Sequence, residues 1–184
     1  MVENKQLNKK NISFVVLVGG LGSRIKHLYP NKPKPLISIH NKPFLYWLIK
    51  EIKDLNFKNV IYASGYRSEQ IESWVNNNEF KDLNQTIVKE TKKLGTAGSI
   101  FNLIDLCKEN LIILNGDSFL AGGIKKLLES INLKHSSTLV CHHTKNTQRF
   151  GKIIFNQKNQ LINFFEKEKS GPGYINSGIY FFKK

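Results

Sequence analysis

Between Ile12 and Val18 every residue except Ser13 is apolar, and the run stops abruptly at Gly19-Gly20-Leu21-Gly22. A strand with one wet face alternates polar and apolar residues. An almost unbroken apolar strand must be covered on both faces. Val60–Ala63 and Leu111–Leu114 have the same character. Helical patterns lie between them. Residues 44, 45, 48, 49, 52 and 55 are apolar and share one helical face, with Pro43 at its start, where proline is tolerated. Further helices are predicted over Ser68–Val75, from Thr96 or a neighbour to about Cys107, and over Ile124–Ile131. Thr86–Glu90 reads as a short strand. Strand-like runs then follow at Ser137–Cys141, Gly151–Phe155, Leu161–Phe165 and Ile175–Phe182. Alternating strands and helices with a strand-rich end predict an α/β domain. Its sheet is mixed and mainly parallel, with added antiparallel strands. Residues 1–10 are polar and read as a tail, and 11–184 as one domain.

The net charge is +14, from 28 cations and 14 acids. Residues 1–50 carry nine cations and one acid, whereas residues 51–100 balance at zero. Only Arg24, Arg67 and Arg149 are arginines. Arginine leads direct base readout, so this lysine-rich balance argues against a nucleic-acid reader. The apolar run Phe14–Val18 is far too short to span a membrane, and no cleavage pattern follows it. Cys107 and Cys141 form no disulfide framework, and the histidines show no ligand spacing, so a reducing cytoplasm is expected and zinc is not.

A Gly-rich turn between strand and helix exposes backbone amides, and the helix start adds partial positive charge. Arg24, Lys26, Lys32 and Lys34 follow within eleven residues. This reads either as a phosphate cradle of neither common kind or as a tight turn with solvated cations. Ile25 stands where the dinucleotide pattern needs glycine, and Gly22-Ser23-Arg24 replaces the P-loop ending. Asn115-Gly116-Asp117 also lies just past a strand end, which puts both segments on one rim, where such sheets bind ligands. Of the four aspartates (54, 82, 105 and 117), only Asp117 directly follows a buried apolar strand. A carboxylate there can bind Mg2+; the plain alternative is a turn aspartate.

"GGLGSRI", then "KPKPL", then "NKPFLYWLI" resemble the sugar-phosphate nucleotidyltransferase family. "KETKKLGTAGSI" (89–100), "ILNGDSF" (113–119), "FFEKEK" (164–169) and "YINSGIYFF" (174–182) resemble further blocks of that family, in order. The style is similar to heptose 1-phosphate guanylyltransferases and their hexose 1-phosphate relatives. The resemblance implies a three-layer, Rossmann-like fold and an enzyme joining a nucleoside triphosphate to a sugar 1-phosphate. Its partners would be those two small molecules, with no nucleic acid or membrane and with a homo-oligomer left open. It implies Gly19, Gly20, Gly22 and Ser23 around the triphosphate, Arg24 on its leaving end and Lys34 on the α-phosphate. Gly95, Thr96, Ala97 and Gly98 would lie against the base; alternatively, Thr96 simply caps a helix. Glu166, Lys167, Asn176 and Gly151 would form the sugar-phosphate pocket, and Asp117 would hold Mg2+. Lys26 and Lys32 read as surface charges, while Tyr66 and Arg67 are rim or packing residues. The product would serve surface polysaccharide synthesis.

The pattern breaks at one end. No aspartate follows Asp117, where the family places a second metal-binding aspartate, and the last residue is Lys184. The resemblance therefore implies a domain lacking the family's C-terminal part. That leaves a truncated product, a partial sequence, or a variant with Glu166 or Glu168 as substitute ligand. A non-catalytic nucleotide binder competes with the enzyme reading. A glycosyltransferase fits less well, because Asp117-Ser118-Phe119 replaces Asp-x-Asp. The base is open apart from a guanine preference carried by resemblance. Heptose versus hexose is open too.

Overall fold

A computed structural model describes residues 8–92, 94–120, 122–131, 134–165 and 171–184. The elements run β1 (Ile12–Leu17), β2 (Ser38–Ile39), β3 (Lys42–Pro43), α1 (Phe44–Asp54), β4 (Asn59–Ser64), α2 (Ser68–Asn77) and β5 (Asn84–Lys89). They continue with α3 (Gly95–Leu103), β6 (Asn110–Asn115), α4 (Gly123–Ser130), β7 (Ser137–Thr144), β8 (Lys152–Phe155), β9 (Leu161–Phe165) and β10 (Gly173–Lys183). The main sheet has the order β5-β4-β1-β6-β10-β8-β9, with β7 also paired to β10. Strands β5, β4, β1 and β6 are parallel, whereas β10 runs antiparallel to β6, β7 and β8.

The apolar run of β1 behaves as its sequence demands. Ile12, Phe14 and Val16 enter one hydrophobic cluster with Leu45, Leu48, Ile49 and Ile52 of α1, Ile71 and Val75 of α2, and Ile124 and Leu127 of α4. Val15 points the other way, into a cluster with Leu103 of α3, Cys107 and Ile113. The period of two along β1 thus feeds both outer layers. Each large apolar side chain removed from water in this way contributes about 1.5–3 kcal/mol. Phe14 and Phe57 add an edge-to-face contact with ring centroids 4.8 Å apart. Burial pushes the Cys107 thiol up to about 11, so it is a packing residue rather than a nucleophile. Among the described residues, no helix is long and apolar enough to cross a membrane.

The connections make the site. From β1 the chain crosses to β4 and on to β5, then returns to β6 on the other side of β1. The order reverses between β1 and β6, and a crevice opens at the carboxyl ends of those strands, where ligands bind in such sheets.

Three features differ from the sequence expectations. The β2–β3 hairpin turns through His40 and Asn41, both at positive φ (50° and 63°), although neither residue is glycine. α3 begins at Gly95 (φ +70°) with Leu94 at its N-cap, so Thr96 does not cap it. β10 is longer than Ile175–Phe182 and shifts register against β7 between Asn176 and Tyr180. Gly178 (φ +72°) lies in that shift, where a Cβ would come within 2.3 Å of the Asn115 amide nitrogen.

Candidate active site

β1 ends into Gly19, whose carbonyl accepts the Tyr66 amide at 3.3 Å. A Cβ on Gly19 would lie 3.1 Å from the Gly65 nitrogen, so glycine lets the ends of β1 and β4 close together. Gly22 adopts left-handed backbone (φ +59°) and starts the single helical turn Ser23–Ile25. Gly20 is different. Its Cβ would meet no protein atom within 4 Å, and its φ needs no glycine. The protein's own packing does not require glycine there.

Lys34 opens a second short turn, Lys34–Leu36, between two buried prolines, Pro33 and Pro35. Its Cβ lies 3.6 Å from where a Cβ of Gly22 would stand, which sets Lys34 against the glycine turn. From β6, the Gly116 amide donates to the Leu17 carbonyl at 2.9 Å, drawing the two strand ends together. Asp117 follows at once, and its carboxylate pairs with the Lys34 ammonium. The two side chains are 39% and 36% exposed. A pair that wet contributes about 0–1 kcal/mol, so fold stability does not explain it. Arg24 has no acidic partner among the described residues and faces the same cleft.

The cleft measures about 660 Å³. Its lining brings together Gly19, Gly20, Gly22, Ser23, Arg24, Lys34, Gly95, Thr96 and Asp117, all singled out in the sequence. Ala97 and Gly98 are on α3 outside that lining. Gly151 and Asn176 also lie outside it. The glycine at 151 has a packing reason, because a Cβ there would come 2.7 Å from the Phe164 ring. The Asn176 amide donates to the Tyr180 hydroxyl at 2.6 Å and its carbonyl accepts the Gly178 amide at 2.8 Å, so it braces the irregular part of β10. Glu166 and Lys167 lie outside the described residues.

Among the described cleft residues that the sequence reading did not single out, Glu90 is the acidic one. Glu90 follows β5, and the single Ser99 hydroxyl proton is shared between its carboxylate and the Gly95 carbonyl, 2.6 Å away. No cation pairs with Glu90 among the described residues, although cations outnumber acids two to one in the chain. It lies in the block 89–100 that carries the family resemblance, but the sequence reading did not single it out. The signal is spatial, since Glu90 and α3 meet only through the fold.

The donor set suits a hard cation bound through its ligand. Among the described residues, no group of three acids, histidines or cysteines is gathered for a metal. Mg2+ commonly takes one or two carboxylates and completes its shell with substrate phosphates and water. Asp117, exposed beside the glycine turn, meets that requirement.

A glycine turn at the switch point, with a lysine and a carboxylate paired beside it, is an arrangement suited to a nucleotide in an α/β domain. The chain belongs to the nucleotidyl transferase family, which matches residues 13–184. Such transferases are in general metal-dependent. The chain is 33% identical over 172 residues to D-glycero-alpha-D-manno-heptose 1-phosphate guanylyltransferase of Aneurinibacillus thermoaerophilus, covering 92% of this chain and 74% of that protein. It is 32% identical to the Campylobacter jejuni protein of the same name, covering 92% and 75%. Its fold superposes on HddC from Yersinia pseudotuberculosis complexed with GMP-PN with a TM-score of 0.80, at 29% identity over 93% of this chain and 76% of that one. The Rossmann-like fold expected from the sequence is thereby shared with solved nucleotidyltransferases.

Proposed function

We propose that the chain transfers GMP from GTP to a sugar 1-phosphate, giving a nucleotide-sugar and pyrophosphate. The meeting of Lys34 and Asp117 over the Gly22 turn carries this reading. An oxygen of the sugar phosphate attacks the α-phosphorus. The new P–O bond forms as the bond to the β-phosphate's bridging oxygen breaks, and pyrophosphate leaves with that electron pair. The nucleophile is already anionic, so no side chain need remove a proton. The protein's task is to position two anions and neutralise their charge. Lys34 exchanges Asp117 for the α-phosphate. Arg24 grips the leaving pyrophosphate, and the amides of Gly19, Gly20, Gly22 and Ser23 cradle the chain of phosphates. Asp117 holds Mg2+, which supplies charge neutralisation when bound. Glu166, Lys167, Gly151 and Asn176 serve the sugar phosphate. The substrates are cytoplasmic metabolites, and the product suits surface polysaccharide assembly.

Glu90 supports the choice of guanine. Phosphates belong at the Arg24–Lys34 end of the cleft. In this reading the base lies against Glu90, Gly95 and Thr96, which line the same cleft. A carboxylate accepts hydrogen bonds only. Guanine alone among the bases presents two adjacent donors, N1–H and the N2 amino group, to such an acceptor. A hydrogen bond to a charged group contributes about 1.5–3 kcal/mol, or roughly 10–100-fold. Inosine triphosphate lacks the N2 amino group. Wild-type kcat/KM for nucleotide-sugar formation is therefore expected to favour GTP over ITP by about tenfold or more. Glu90→Gln should bring the two nucleotides close together. The assay pairs GTP, ITP, ATP, UTP and dTTP with heptose, mannose and glucose 1-phosphates. UTP or dTTP used as well as GTP would remove the guanine assignment. No nucleotide-sugar from any pair would remove the transferase reading.

A further inference from the structure

We propose that Arg67 is a positioning residue for the triphosphate, setting the separation of Arg24 and Lys34 from outside the cleft. The inference rests on the nucleotidyl-transfer reading above. Arg24 and Lys34 belong to one loop whose ends are fixed. Gly19 is held by Tyr66 at one end, and Pro33, Pro35 and Leu36 are buried at the other. The stretch between them has little core contact: Leu21, Leu28 and Tyr29 are 56%, 65% and 43% exposed. Its own backbone bonds are local, linking Gly22, Ile25, Leu28, Tyr29 and Lys32 to one another.

Among the described residues, the hydrogen bonds reaching residues 20–32 from outside the loop come from Arg67 and Gln70. Arg67 Nη2 donates to the Asn31 side-chain oxygen at 3.0 Å and to the Pro30 carbonyl at 3.5 Å. Gln70 Nε2 donates to the Asn31 carbonyl at 2.9 Å. The other edge of the guanidinium is fixed: Nε donates to the Tyr66 hydroxyl at 3.0 Å, and Tyr66 lines the cleft. The planar fork thus ties the loop to the cleft wall in a way a lysine cannot.

The backbone gives independent support. Arg67 stands at the start of α2 with φ +52° and ψ 43°, the left-handed region that a long side chain occupies at a cost. Residues held there against preference cluster where geometry matters for function. Glycine would adopt the same conformation freely.

That strain supplies a clean test. Arg67→Gly relaxes the backbone and removes the strut, so strut and stability separate. Wild type and variant are compared by thermal unfolding, by calorimetric affinity for GTP and GMP with Mg2+, and by amide hydrogen exchange of residues 24–31. The expected result is an unchanged or raised Tm, with GTP affinity reduced about tenfold. GMP, which lacks the outer phosphates, should bind as before, and residues 24–31 should exchange faster. An unchanged ratio of GTP to GMP affinity in the folded variant would overturn the proposal. Equal losses for both nucleotides with a lowered Tm would overturn it as well, since Arg67 would then be merely structural. A wild type that binds GTP no better than GMP would remove the transferase reading and the strut together.

Discussion

Lys34→Met is expected to lower kcat for pyrophosphate release by about a thousandfold while leaving the melting temperature within a degree or two. Methionine keeps much of the aliphatic stem and removes only the charge. The stability half of this expectation follows from exposure. Both members of the Lys34–Asp117 pair are more than one-third exposed, so their attraction is screened and contributes almost nothing to folding. The catalytic half follows from position. Pro33 and Pro35 pin the backbone on either side of Lys34, and the glycine turn abuts its Cβ. A preorganised cation beside developing phosphate charge contributes several kcal/mol in the transition state. Steady-state kinetics with the variant at saturating triphosphate checks this directly. A variant retaining more than a tenth of wild-type kcat would show that Lys34 is only a surface partner of Asp117.

The second large effect is on stability. Gly116→Ala places a Cβ 2.7 Å from a Val18 methyl carbon and 2.8 Å from the Leu17 carbonyl oxygen. Neither neighbour has room to yield. Val18 is buried, and the Leu17 carbonyl accepts the Gly116 amide itself. Overpacking of this kind costs about 3 kcal/mol, which corresponds to roughly 6–12 °C for a domain of this size. Gly20→Ala is the control. Its Cβ meets nothing, so Tm should hold while triphosphate affinity falls. Thermal unfolding of the pair decides the matter. Equal melting temperatures would mean that the close approach of β1 and β6 is softer than their geometry implies.

Much of the fold was legible because periodicity is a local property. The apolar face of α1 is written in residues 45, 48, 49 and 52, all buried. The unbroken run of β1 required cover on both faces and receives it. The rim was legible because a glycine turn and an aspartate each follow a buried strand. What could not be read depends on contacts distant in sequence or on unusual backbone. The His40-Asn41 turn needs two positive φ values without glycine. The break in β10 answers to Asn115, far away in the chain. Glu90 matters through Ser99 and the cleft, and Arg67 through Asn31. Asn176 and Gly151 carry the family pattern, yet both have packing partners of their own.

The most direct test of the central claim is pyrophosphate release by the purified chain with Mg2+, GTP and a sugar 1-phosphate. Reactions omitting each component and a parallel Asp117→Ala variant complete the experiment. Release that requires both substrates and the metal, and that disappears in the variant, is the predicted result. A folded chain that binds GTP yet releases no pyrophosphate with any sugar 1-phosphate would contradict it and leave a nucleotide-binding protein without turnover.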